Sequence, residues 1–264
     1  MNPDPTPDPS PDTPQPPRGR ALYGCMGLGG TWDHAPYTAH DIDHAAAAVT
    51  AALDAGITDF DHADIYRHGK SEAVFGEVLA RWPDLRERIT LQTKCGIRLP
   101  EGDRPGIYDL RARHLINSVH ASLTRLRTDH VDTLLLHRPD PLAEPAEIAE
   151  AFTELRAEGL VRGFGVSNMS APQIAHLQSH LDVPLVANQL EMSLEQRDWV
   201  ESGVLVNTPG ATAGGFPTGT IEHCLAHGIE LQAWGALARG RYTGADPSPA
   251  ADLIAELAER KDTT

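Results

Sequence analysis

Short apolar runs alternate along this chain with helical patterns, and each run ends on polar or aromatic residues. "GITDF" runs into Asp61, "RITLQTK" ends at Lys94 and "HVDTLLLH" at His137. "LVRGFGVSN" ends at Ser167 and Asn168, "VPLVANQ" at Asn188 and Gln189, and "GIELQAW" at Trp234. An earlier, weaker run, "ALYGCMGLGG", passes into a glycine-rich turn. Continuous apolar runs of this length suit strands buried on both faces of a parallel sheet. The stretches between them are amphipathic. "AHDIDHAAAAVTAALDAG" has Asp41 near its start and Gly56 after its end, as a helix should. "KSEAVFGEVLARW" stops at Pro83, and in "SAPQIAHLQSHL" Ser170 is placed to cap and Pro172 fits the first turn.

Two architectures carry such a βα rhythm. A doubly wound sheet wants a glycine fingerprint after its first strand. "GCMGLGG" lacks the GxGxxG spacing, and no helix opens directly on it. A β/α barrel instead delivers the last residues of every strand to one common face. Polar groups recurring at strand ends, with no local role, favour the barrel. The expected class is therefore α/β, a (β/α)8 TIM barrel, with seven strands recognisable.

The net charge of -15 disfavours nucleic acid and anionic membrane surfaces, which are bound through Lys and Arg. No apolar run approaches the ~20 residues that span a bilayer. Cys25, Cys95 and Cys224 are widely spaced and form no CxxC pair, which fits a reducing cytoplasm better than a disulfide or zinc framework. No metal-ligand spacing is visible among the histidines. Residues 1 to 19, rich in Pro and Asp, read as a disordered tail, and residues 20 to 264 as the folded domain.

If the strand ends converge, Asp61, Lys94 and His137 share a pocket, with Tyr66 on the loop after "GITDFD". A free tyrosine, with a pKa of about 10, is a poor acid at neutral pH. A neighbouring ammonium is expected to lower that pKa, and Asp61 to keep Lys94 charged and oriented. His137 would hydrogen-bond a substrate oxygen. Such a set can protonate a carbonyl oxygen as it gains charge, but it lacks a hydride source, so a cofactor is implied.

"DHADIY", "QTKCG", "LLLHRPD", "GVSN", "NQ" and "AWGALARG", in this order, resemble the aldo-keto reductase family from about residue 21 to 245. The resemblance implies a (β/α)8 barrel, NADPH, and reduction of a small-molecule aldehyde or ketone to an alcohol. It implies a catalytic set of Tyr66, Asp61, Lys94 and His137, with Tyr66 as proton donor. Ser167, Asn168 and Gln189 match residues that hold the nicotinamide amide, and Trp234 the aromatic ring stacked on it. Gly235, Leu237 and Arg239 fall on the segment along the pyrophosphate. Gly30 and Thr31 match the turn near the nicotinamide ribose, where Asp61 also contributes.

Two departures stand out. Arg67 follows Tyr66 where the family usually has glycine, and is free either to bind an acidic substrate group or to point to solvent. No residues match the family's eighth strand or its 2′-phosphate segment, so the chain is expected to lack them. A competing reading is therefore a truncated, non-catalytic barrel that binds nucleotide weakly or serves a partner. A lysine Schiff-base chemistry at Lys94 is a third reading. Residue by residue, Asp61 also fits a turn former, Ser167–Asn168 a helix cap and Trp234 core filler. His62, His68 and the helical histidines are expected in solvent, Asp64 as a bystander, and Glu72 in a local pair.

Overall fold

The computed structural model describes residues 20–208, 215–242 and 249–261, so the Pro/Asp-rich segment lies outside the described residues. The strands in chain order are β1 (Leu22–Gly24), β2 (Asp59–Asp61), β3 (Thr90–Cys95), β4 (Ile97–Arg98), β5 (Ile107–Tyr108), β6 (Val131–Leu136), β7 (Val161–Ser167), β8 (Leu185–Glu191) and β9 (Glu230–Trp234). The helices are α1 (Ala39–Asp54), α2 (Lys70–Arg81), α3 (Ala112–Leu126), α4 (Pro145–Ala157), α5 (Ala171–Gln178), α6 (Asp198–Val204), α7 (Thr220–Ala226) and α8 (Pro249–Arg260). β4 and β5 form a small antiparallel hairpin. That hairpin and α6 have no counterpart in the sequence reading, because their strands or turns are too short to show a period.

The other seven strands form one sheet in the order β1-β2-β3-β6-β7-β8-β9, parallel throughout. Spatial order follows chain order without reversal. A doubly wound sheet would reverse at a switch point, so the topology is that of a (β/α)8 barrel. The sheet curls far enough for Gln92 on β3 and Gln232 on β9 to exchange two hydrogen bonds, at 2.9 and 3.1 Å. Arg20 adds a tie at the strands' amino ends, pairing with Asp59 on β2 and Glu230 on β9 at 3.2 Å each.

Local chemistry sets the helix ends. Thr38 and Asp41 form a reciprocal capping box on α1, and Ser170 and Gln173 another on α5 with Pro172 in the first turn. The Ala112 N–H, at the start of α3, finds the Glu147 carboxylate at 2.9 Å. Between helices and sheet lies the apolar layer, including Phe60, Phe75, Leu91, Leu115, Leu134 and Phe164. Phe152 of α4 stacks on Phe164 of β7 with ring centroids 4.0 Å apart. At Gly76 α2 meets α3 so closely that a Cβ would lie 2.1 Å from the Arg125 carbonyl oxygen.

Candidate active site

The site gathers at the carboxyl ends of the strands, as in other barrels of this kind. Asp61 ends β2, Lys94 is the penultimate residue of β3, and His137 follows β6 directly. Lys94 is buried, and its three ammonium protons all have acceptors. Nζ donates to Asp61 Oδ2 at 2.7 Å, to the His62 carbonyl at 2.9 Å and to Tyr66 Oη at 3.1 Å. Asp61 Oδ1 accepts from Gln92 Nε2 at 2.6 Å. Burial alone would depress the Lys94 pKa, but Asp61 and Tyr66 outweigh it and the pKa is raised. A fully satisfied, firmly charged ammonium is a poor amine nucleophile, which argues against Schiff-base chemistry.

Tyr66 begins a 3-10 turn over Tyr66–Gly69. Its ring meets the His137 ring edge to face, centroids 5.9 Å apart, and lies 5.0 Å from Lys94 Nζ. Contrary to the sequence expectation, the Tyr66 pKa is raised, not lowered. Burial of the phenol is the largest cause; Lys94 pulls the other way, and Asp61 adds to the rise. Stripping water from a phenolate costs more here than one ammonium, already shared with a carboxylate, returns. His137 is held neutral, its pKa lowered to about 3 by burial, then by Lys94 and Arg138. Its Nδ1 is buried without a hydrogen-bond partner.

A second group lies at the ends of β7, β8 and β9. Ser167, Gln189 and Gln232 stand in register across the three strands. Ser167 Oγ donates to the Gln189 carbonyl at 2.9 Å and accepts from Asn168 Nδ2 at 2.7 Å. Asn168 Oδ1 accepts from Trp234 Nε1 at 3.1 Å. Asn168 itself is left-handed, φ 59°, which aims its amide into this chain of bonds. The set is neutral, built of amides and a hydroxyl beside one flat ring. That chemistry fits a planar carboxamide, which needs both a donor and an acceptor. Beyond Trp234 the backbone turns sharply, with Gly235 at φ 67° and Arg239 at φ 59°; Leu237 is exposed. Across the mouth, Gly30 lies at φ 77° and Thr31 bonds Asp33 in the loop after β1.

Three expectations change. His62 is not in solvent: it is fully buried edge-on against Phe75, centroids 4.6 Å apart, and burial lowers its pKa to about 3. Asp64 is no bystander: its Oδ1 is buried, and its pKa is raised to about 7 by burial and by Glu72. Glu72 is buried and pairs with Arg125 at 2.7 Å while accepting from Thr93 Oγ1 at 2.6 Å. None of these shows a period from sequence; the buried turn is sealed by α2, which follows it directly, and by α3, which is remote from it in sequence. Asn188 is a further buried residue, with Nδ2 bonded to the Met169 carbonyl at 2.9 Å and Oδ1 without a partner.

The aldo/keto reductase family model matches residues 22–253. The oxidoreductase YdhF of Escherichia coli is 40% identical over 210 residues, 78% of this chain and 65% of that protein. A 6-dehydroglucose reductase of Novosphingobium aromaticivorans is 38% identical over 253 residues, 91% of this chain and 75% of that protein. The solved glycerol dehydrogenase AKR11B4 of Gluconobacter oxydans superposes with a TM-score of 0.73 at 26% identity, covering 92% of this chain and 75% of that one. Against three of the curated relatives the chain spans 59%, 65% and 62% of their length.

Proposed function

The chain belongs to the aldo/keto reductase family, and we propose that it is an oxidoreductase reducing an aldehyde or ketone to an alcohol with NADPH. The observation that carries this reading is the Lys94 ammonium bonded at once to Asp61 and to the Tyr66 hydroxyl, with His137 against the tyrosine ring. The bound nicotinamide would supply the hydride. Tyr66 donates its proton to the carbonyl oxygen. Its raised pKa keeps that proton in place at neutral pH until the oxygen turns basic. Lys94, 3.1 Å from the phenolic oxygen, stabilises the phenolate as it forms. Asp61 holds Lys94 charged and aimed. Neutral His137 donates a hydrogen bond to the same carbonyl oxygen.

Ser167, Asn168 and Gln189 would hold the carboxamide, with Trp234 flanking the ring. Gly235, Leu237 and Arg239 would follow the pyrophosphate, and Gly30, Thr31 and Asp61 the ribose side. The preference for NADPH rests on the family resemblance.

The test is NADPH oxidation by the full chain over a panel of aldehydes and ketones, with Tyr66→Phe beside it. Turnover should fall by at least about a hundredfold, the usual worth of a positioned acid. Nucleotide binding, read by tryptophan quenching, should stay. Wild-type turnover in Tyr66→Phe rejects the assignment, and no NADPH binding by the parent chain supports the non-catalytic alternative.

A further inference from the structure

Tyr66 and His137 are each followed by an arginine whose guanidinium lies over a tryptophan ring. Arg67 Cζ is 5.4 Å from the centroid of Trp32, and Arg138 Cζ is 5.7 Å from that of Trp234. Arg67 is fixed a second time, its Nε donating to the Met26 carbonyl at 3.2 Å. Its backbone is unusual. Arg67 and His68 both lie in the left-handed region, φ 53° and 58°, before Gly69 at 85°. A chain that needed only a turn there would use glycine, which adopts that region without strain. Holding an arginine in it fixes a cation on the turn that carries Tyr66, against the Met26 carbonyl and the Trp32 ring.

That cation has spare donors. The acid on the facing loop, Asp33, is taken by Lys70 at 2.9 Å. Among the described residues the Nη groups of Arg67 have no hydrogen-bond or ion-pair partner. Nε anchored and one face on Trp32 leave the outer edge of the fork free, the edge that meets carboxylate or phosphate oxygens in pairs. The chain as a whole is acidic, with 37 acids against 22 bases, so an uncompensated guanidinium runs against its average.

Resting on the carbonyl-reductase reading, we propose that Arg67 is a specificity-determining residue that binds an anionic oxygen group, carboxylate or phosphate, carried by the carbonyl substrate. The substrate class is then an acidic aldehyde or ketone in place of a neutral one. Arg138 lies over the ring proposed to flank the nicotinamide, so its loss should weaken nucleotide binding and leave the preference for acidic substrates.

The experiment compares matched pairs on the full chain: 4-oxobutanoate against its methyl ester, and glyceraldehyde 3-phosphate against glyceraldehyde. The parent should favour at least one anionic member by about tenfold or more in kcat/KM, the worth of a charge-assisted bidentate contact. Arg67→Gly suits the left-handed backbone and should fold. In it that ratio should collapse through KM, and Arg67→Lys should recover part of it. The two pairs separate carboxylate from phosphate. In parallel, succinate and inorganic phosphate are titrated against tryptophan fluorescence, which needs no turnover. Saturable quenching by either in the parent and its loss in Arg67→Gly is the expected result. A flat titration in the parent, or equal loss of both members of a pair in Arg67→Gly, overturns the Arg67 assignment. Anion binding that depends on Arg67, without turnover of any carbonyl, instead overturns the reductase reading and leaves the anion site standing.

Discussion

Asp64 illustrates how one residue can hold the turn that carries the proposed acid, Tyr66. Its N–H donates to the Lys94 carbonyl at 2.9 Å, and its carboxyl feels the charges of Glu72 and Arg125, which pair with each other. Burial and Glu72 raise its pKa to about 7, while Arg125 and Ser118 oppose them. The unfolded chain ionises near the ordinary aspartate value of about 3.9. Below that value both states hold the proton and stability is undiminished. As pH rises to about 7 the unfolded state alone gains by ionising, and stability falls, by up to roughly 4 kcal/mol for three units. Asp64→Asn removes that slope. Between pH 5 and pH 8 the melting temperature of the variant should rise relative to the parent's, by what the parent loses over that window. A difference that does not change with pH counts against the assignment. The nearness of Asp61, Lys94 and His137 was legible in the sequence because strand ends in a barrel share one address, and Tyr66 lies on the loop that follows Asp61. Asp64 and His62 were not legible, because their burial depends on α2 and α3 closing over the turn.

At the scale of elements, α2 backs the turn that carries Tyr66. In its first turn Ser71 bonds the Cys25 carbonyl at 2.7 Å and Glu72 pairs with Arg125 at 2.7 Å. The closeness of α2 to α3 depends on Gly76. Alanine there would gain about 1 kcal/mol of helix propensity. Its methyl, however, would fall 2.1 Å from the Arg125 carbonyl oxygen, a backbone atom that moves only with its helix. Overpacking of that kind costs roughly 1–3 kcal/mol, so the clash wins. Gly76→Ala should melt earlier than the parent by thermal circular dichroism, and a rise in melting temperature would show that the helices part easily. The long helices were readable from caps and periodicity: Thr38 with Asp41, Ser170 with Gln173, Gly56 past the end of α1. The β4–β5 hairpin was not, since two-residue strands with exposed Ile107 and Tyr108 carry no alternation long enough to register.

Across the whole molecule, strands that share no backbone hydrogen bonds are joined by side chains inside the curl of the sheet. Gln232 is the hub, bonded to Gln92 in both directions and accepting from Gln189 at 3.2 Å. Gln92 passes the connection to Asp61, so the same network that helps curl the sheet also orients the proposed site. The order of the strands was legible from the βα rhythm; this network was not, because no local pattern says which two glutamines will face each other 140 residues apart. Gln232→Leu leaves Gln92 Oε1 and Gln189 Nε2 without a partner in a buried setting, at about 1–3 kcal/mol per group. Gln232→Glu keeps the shape but replaces the donor with a carboxylate, one amide, that of Gln92, from Asp61's own charge. A buried carboxylate is costly when ionised and tolerable when protonated, when it can again donate to Gln92. The two variants therefore separate by pH. In urea unfolding at pH 7.5 and pH 5, the deficit of Gln232→Leu should stay constant, whereas that of Gln232→Glu should shrink as the added acid takes up its proton. Equal deficits for Gln232→Glu at both pH values would mean that water reaches Gln232 and the network is not the dry tie described.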